Sequence, residues 1–203
     1  IQYRNGKQTF SDYGQGQKLN TFFGPRFQYI VASGGYGWNV PTLSLLQSYE
    51  RTNPADLTTI IDKRRPASLW MPGDRDDSLT YTQPASLVGS PYGFNVRKYF
   101  VPIYNTAGDV GGWSCALNVP YIRYSEVLLI YAEAAGNSTG KPYIDQVRAR
   151  AGLAPLPNAL SDQQYLDAVY NERRHEFAFE MHRWYDLLRY PDANYFINTM
   201  KAS

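Results

Sequence analysis

The chain has 203 residues, 43% of them hydrophobic and 19% charged, the balance of a globular protein and too apolar for a disordered one. Its 20 basic and 18 acidic side chains leave a net charge of +2, which argues against a nucleic-acid binder built on a basic excess. No run approaches the roughly 18 apolar residues that span a bilayer, and the single cysteine, Cys115, excludes an internal disulfide framework or a cysteine-based zinc site.

Composition divides the chain near Pro120. Residues 1–120 hold 13 of the 16 glycines and 9 of the 13 prolines but one glutamate, Glu50, whereas residues 121–203 hold the other five glutamates. Glycine and proline punctuate turns and glutamate favours helix interiors, so a loop-rich region 1–120 and a helical region 121–203 are expected. The first half offers one helix within Val40 to Arg51, opened by Pro41 and closed by Asn53-Pro54, and a strand from Val96 to Tyr104 broken at Pro102. The rest reads as loop, and long ordered loops are usually functional or packed onto something.

Four helical segments follow. Tyr121 to Ala135 is apolar on nearly every face, the pattern of a helix buried on all sides, and Gly136-Asn137 stops it. Tyr143 to Ala151 is a shorter helix with Gly152 in the position favoured just past a helix end. Ser161-Asp162-Gln163-Gln164 is a capping box opening a third helix, which should run to about Phe179 or Glu180. His182 to Leu188 is the fourth, closed by Tyr190-Pro191. Helices joined by short loops form the antiparallel hairpins of bundles and helical repeats.

Charges interrupt these apolar helices: Arg123, Glu126 and Glu133 on the first, Arg148 and Arg150 on the second, Glu172-Arg173-Arg174-His175-Glu176 and then Glu180 on or after the third. Buried charges persist when paired, so carboxylates of the first helix should meet guanidinium groups of the others. The competing reading is a metal site on Glu172-x-x-His175, but di-iron bundles need two such motifs and this chain has one.

Other chemistry is thin. Asp74, Asp76 and Asp77 suggest calcium or a glycosidase carboxylate pair, yet they lack a regular calcium loop, and acids in one turn rarely face each other across a cleft. A nucleophilic triad could be assembled only by speculation, so no enzyme, metal or cofactor is expected. The rings are the stronger signal. Tyr36, Trp38, Trp70, Tyr81, Tyr92 and Trp113 fall in the glycine- and proline-rich half, and flat rings with a polar edge suit recognition surfaces on which sugars stack. Asp74, Asp76, Asn95 and Arg97 are the candidate partners for sugar hydroxyls.

Tyr121-Ile122-Arg123-Tyr124-Ser125-Glu126-Val127-Leu128-Leu129-Ile130-Tyr131-Ala132-Glu133-Ala134, then Val147-Arg148-Ala149-Arg150-Ala151-Gly152-Leu153, Glu172 to Glu180, and Arg183-Trp184-Tyr185-Asp186-Leu187-Leu188-Arg189 resemble, in that order, the blocks of the SusD/RagB family. The resemblance is strongest over residues 121–190. It implies a mainly α fold, a tetratricopeptide-like helical scaffold packed with a loop-rich ligand-binding region. It also implies a non-enzymatic lipoprotein on the extracellular face of the outer membrane of Bacteroidetes-type bacteria, which captures oligosaccharide or another nutrient for a SusC-like TonB-dependent transporter. Its membrane contact would be a lipid anchor absent from this chain. The family is normally longer and both ends read as cuts, so the 121–135 helix is expected to expose an apolar face that a missing segment or another chain would cover. The reading from another class is a helical-repeat interaction scaffold with no small-molecule ligand.

Overall fold

A computed structural model describes residues 18–26, 35–76, 81–84, 90–101 and 117–201. The chain forms two compact units. One comprises Ile1–Pro41 and Pro66–Tyr121, the other Thr42–Arg65 and Ile122–Ser203, so a segment of the loop-rich half belongs with the helices.

The helical unit begins with α2 (Leu43–Ser48), where the Thr42 side chain accepts from Leu45 N–H and caps the first turn. The helix expected within Val40 to Arg51 is therefore present but shorter, with Pro41 outside it. A 3₁₀ turn (Leu57–Thr59) and a bridge between Arg51 and Ile60 lead to α3 (Arg64–Ser68), whose start belongs to this unit. Next come α4 (Tyr124–Arg150), α5 (Asp162–Glu176), α6 (Arg183–Arg189) and α7 (Ala193–Lys201).

α4 breaks at Gly136, as its sequence predicts, with φ 69° and ψ 179°, a conformation open essentially to glycine alone. The second arm starts at once rather than at Tyr143, taking in Asn137 to Pro142, which read as linker. Packing overrides composition there. A Cβ on Gly140 would lie 2.2 Å from the Ala132 carbonyl oxygen and 2.5 Å from the Tyr165 hydroxyl, so only glycine lets the two arms approach this closely. Tyr165 Oη donates to that same carbonyl (3.0 Å), and Asn137 Nδ2 donates to Leu160 O (2.7 Å). Leu128, Leu129, Ala132, Ile144, Val147, Leu156, Tyr165, Val169 and Phe177 form one core.

α5 carries the expected capping box, Ser161 Oγ accepting from Gln164 N–H and Gln164 Oε1 from Ser161 N–H. It ends at Glu176, short of Phe179, because Arg123 donates to the Glu176 carbonyl (2.9 Å) and holds the end in place. Phe179 and Met181 then take positive φ, both 67°. α7 went unread in the sequence; its visible start signal is Asp192, whose carboxylate accepts from Asn194 N–H (2.9 Å).

The loop-rich unit contains α1 (Leu19–Phe23) and, among the described residues, two short antiparallel ladders. β1 (Leu69–Trp70) pairs with β4 (Asn95–Val96), Trp70 opposite Asn95, and β2 (Arg75–Asp76) pairs with β3 (Tyr81–Thr82), Asp76 opposite Tyr81. The strand expected from Val96 is confined to Asn95–Val96 among the described residues.

Candidate ligand-binding site

In the loop-rich unit the site is built from α1 outward. Asn20 fixes the helix by a reciprocal pair, its Nδ2 donating to Val101 O (3.1 Å) and its Oδ1 accepting from Val101 N–H (2.9 Å). Residues 36–38 lie along α1 through three backbone bonds: Tyr36 N–H to Thr21 O, Gly37 N–H to Gly24 O and Trp38 N–H to Phe22 O. So close an approach requires glycine at two points. Gly35 has φ 59°, and a Cβ there would sit 2.4 Å from Pro25 O; Gly37 has φ 63°, with Arg26 Cβ 2.9 Å from where its Cβ would be.

This backbone presents a ring cluster. Trp38 stacks on Phe22 at 4.7 Å and 15°, Tyr36 lies 5.6 Å from Trp38, and 55% of Trp38 remains exposed. The indole thus has one face supported and a large open surface, the arrangement a stacking ligand needs. Phe22, the ring beneath, was missed in the sequence because nothing local distinguishes it from a core phenylalanine. A second exposed ring, Tyr92 (49% exposed), stacks on Phe94 at 5.7 Å beyond the turn at Gly93 (φ 73°).

The other predicted residues that the structure describes are packed or bonded within the same unit. Trp70 is fully buried, meeting Tyr81 and Phe100 edge-on at 5.4 and 5.6 Å, with the Arg97 guanidinium 3.9 Å over its ring. Tyr81 and Asn95 are buried with it, and burial raises the Tyr81 pKa. Arg97 is paired with Asp76 (3.1 Å), and Asp74 Oδ2 accepts from Met71 N–H (2.8 Å), closing its own turn. Trp113, Asp77 and Cys115 lie outside the described residues.

The helical unit holds the other candidate chemistry, and it is consumed by ion pairing. Arg64 bonds Asp62 (2.6 Å), Glu172 (2.6 Å) and Glu176 (3.3 Å); Arg148 bonds Glu172 (3.3 Å) and Glu50 (2.7 Å); Arg123 bonds Glu176 and Glu180 (both 2.8 Å). The expected pairing, carboxylates of the first helix with guanidinium groups of the others, is largely reversed: the carboxylates lie mostly on α5 and the guanidinium groups on α3, on α4 and at its N-cap, Arg123, while Glu126 of the first helix faces His182 (3.4 Å). From the first helix, Glu133 meets Arg189 of α6 (2.7 Å). Burial would raise Glu176, but the Arg123 hydrogen bond and the charges of Arg150, Arg123 and Arg64 hold its pKa at about 2. For Glu172 burial outweighs Arg64 and Arg148, and its pKa rises. Glu172 and His175, the two halves of the Glu-x-x-His motif, therefore already have protein partners. Among the described residues no three His, Cys, Asp or Glu side chains are grouped for a metal.

Ser48, His175 and Asp62 deserve comparison with a catalytic triad, since Ser48 Oγ lies 2.9 Å from His175 Nε2. The proton inventory rules against a nucleophile. With the Ser48 hydroxyl donating to Leu45 O (2.7 Å), Nε2–H is the donor to Oγ, and in that arrangement the imidazole is not its base. Asp62 Oδ2 is 3.9 Å from Nδ1 and is bound by Arg64. Burial, followed by the Arg64 charge, drives the His175 pKa from 6.5 to about 3, and the ring stacks neutral on Tyr49 at 4.3 Å.

The SusD family model matches residues 1–202. The chain belongs to the SusD family. SusD-like protein P2 of Formosa agariphila is 30% identical over 76% of this chain and 32% of that protein, and a SusD-like protein of Bacteroides ovatus is 31% identical over 79% and 30%. The chain thus spans about one third of the length of these curated relatives. Among solved structures, the surface glycan-binding protein A from Bacteroides thetaiotaomicron in complex with laminarihexaose matches at TM-score 0.66 and 25% identity, covering 96% of this chain and 44% of that one. A SusD superfamily protein from Bacteroides vulgatus gives 0.68 at 23% identity over 96% and 41%, a likeness of fold. The mainly α, tetratricopeptide-like architecture that the resemblance implies is that of this SusD-like fold. Among the described residues no helix is long and apolar enough to cross a membrane.

Proposed function

We propose that this SusD-like chain captures oligosaccharide, without catalysis, at the bacterial cell surface and delivers it to a SusC-like TonB-dependent transporter, its parent polypeptide held at the outer membrane by lipid. The observation that carries the reading is Trp38, stacked on Phe22 and more than half exposed beside Tyr36. An indole held this way offers its ring to the C–H face of a sugar at little ordering cost, because the backbone beneath it is already fixed. Tyr92 supplies a second ring, and the laminarihexaose-bound relative supports carbohydrate as the ligand class. Trp70, Tyr81 and Asn95 enter this reading as the support of the ring-bearing segments, and Asp74, Asp76 and Arg97 as residues engaged in local bonds.

Titration of the full polypeptide with laminarihexaose and a panel of soluble polysaccharides tests it. One or more should bind, and Trp38→Ala should weaken binding at least tenfold with the melting temperature preserved. Binding by none of them would leave the interaction-scaffold reading in its place. Transporter delivery is tested separately, by co-purification of a TonB-dependent barrel with the intact protein from outer membranes.

A further inference from the structure

Arg174 and Arg183 depart from the pairing that governs the ion network of the helical unit. Arg64, Arg123, Arg148, Arg150, Arg173 and Arg189 each hold a carboxylate oxygen at 2.5–2.9 Å. Among the described residues Arg174 and Arg183 hold none, although both are half-buried. Arg174, in the last turn of α5, donates from Nη2 to Ser44 Oγ of α2 (3.0 Å), a neutral acceptor. Arg183 is the first residue of α6, with its guanidinium carbon 5.9 Å from the centre of the Tyr195 ring of α7. That ring is fixed in turn by stacking on Tyr190 at 4.0 Å. The Arg183 Nη1 is buried without a hydrogen-bond partner. The two guanidinium groups also lie close enough to repel: burial, followed by the charge of Arg183, lowers the Arg174 pKa, and the groups that favour its charge are the phenols Tyr195 and Tyr49, not carboxylates. A guanidinium does not escape such a setting by losing its proton. Two like charges therefore stand together, partly out of water, with a buried donor unanswered.

We propose that Arg174 and Arg183 jointly bind one oxyanion, a carboxylate or a sulfate group. Their planar forks suit an anion with two or more acceptor oxygens, and the carboxylates that satisfy the other arginines of this unit have that geometry. Such an anion accepts from the buried Arg183 Nη1 and from Arg174, and it turns the repulsion between two cations into attraction to a shared centre. Arg174 gives one N–H to Ser44 and has others to spare for the ligand. The Tyr195 ring favours the cation at Arg183 without competing for its N–H groups. Free organic acids, inorganic sulfate and acidic sugars all present this chemistry. The inference stands apart from the functional proposal, whose rings belong to the loop-rich unit, and it holds whether or not they bind a glycan.

Calorimetric titration of the full polypeptide at fixed ionic strength tests it, on a Trp38→Ala background so that ring binding does not contribute. The probes are sodium sulfate, sodium acetate and sodium glucuronate, with methyl glucoside as the neutral control. At least one anion should bind saturably at a single site and the neutral sugar should not. Glucuronate binding well above acetate would name an acidic sugar as the source; sulfate or acetate binding as well or better would name a free anion. Arg174→Gln and Arg183→Gln should each weaken binding about tenfold or more, the loss of a hydrogen bond to a charged partner. Lys201→Gln, which removes an equal charge from the same unit, should leave binding unchanged. Saturable binding by none of the three anions would overturn the inference. So would binding that both arginine variants leave intact, or that Lys201→Gln weakens equally, since that is attraction to net charge. Should a glutamine variant fail to fold, Arg183→Lys keeps the charge without the fork and should still weaken binding.

Discussion

In the helical unit several charges are inside and several rings outside: Arg64, Glu172, Glu176 and Asp186 are buried, while Tyr124, Trp184 and Tyr185 face out. In the loop-rich unit the rings are sorted by depth, Trp70 sealed beneath Arg97 and Trp38 held out on Phe22. The two units solve different problems. Buried guanidinium and carboxylate groups are tolerated only in one geometry, so the network around Arg64 specifies how the helices meet. A displayed ring needs instead a backbone that cannot yield, and the glycines that let residues 36–38 lie against α1 supply it.

Breaking the ion network should produce the largest effect. Arg64→Ala leaves Asp62, Glu172 and Glu176 buried with less positive charge, and a loss of about 3–5 kcal/mol is expected in urea unfolding. An unchanged midpoint would show that the network is ornamental. Within the loop-rich unit, Trp70→Ala should cost about 3–5 kcal/mol by opening a cavity, whereas Trp38→Ala should cost under about 1 kcal/mol. Equal losses at the two positions would erase the distinction between supporting and displayed ring.

Acid sharpens the comparison further. The folded-state pKa of His175, about 3, lies below its unfolded 6.5, so only the unfolded chain takes up that proton, and stability falls as pH drops from 6.5 towards 3. Glu176, held at about 2 against 4.5, adds its own loss between 4.5 and 2, while Glu172, raised by burial, works the other way and softens the decline. The His175 contribution is on the order of 5 kcal/mol at its full extent. His175→Gln should flatten the stability profile between pH 6.5 and 4.5; a profile as steep as that of the wild type would remove His175 as the cause. The smallest effect expected is at a helix end, where Ser161→Ala should cost about 1 kcal/mol and Ser161→Asp should restore most of it.

The parts of this fold that were legible are those written in local sequence: the Ser161 box, the Gly136 break, Gly152 beyond a helix end, and charges demanding partners. What stayed hidden depends on contacts between residues far apart in the chain. Arg64 stands in a stretch with no helical signal of its own, and only the folded chain brings it to Glu172, 108 positions away. Asn137 to Gly140 carry loop composition yet form helix because Gly140 must approach Ala132. The site residues divide for the same reason. Trp38 and Trp70 both neighbour glycine or proline turns, and composition cannot show that one is covered by Arg97, Tyr81 and Phe100 and the other is not.

The hold on residues 36–38 has a consequence for how such a protein could change its diet. All three anchoring bonds are made by main-chain atoms, so they can form with other side chains at 36 and 38. A library randomised at Tyr36 and Trp38, with Gly35 and Gly37 untouched, should yield mostly folded members and, under the proposed function, members that differ in the sugar they bind.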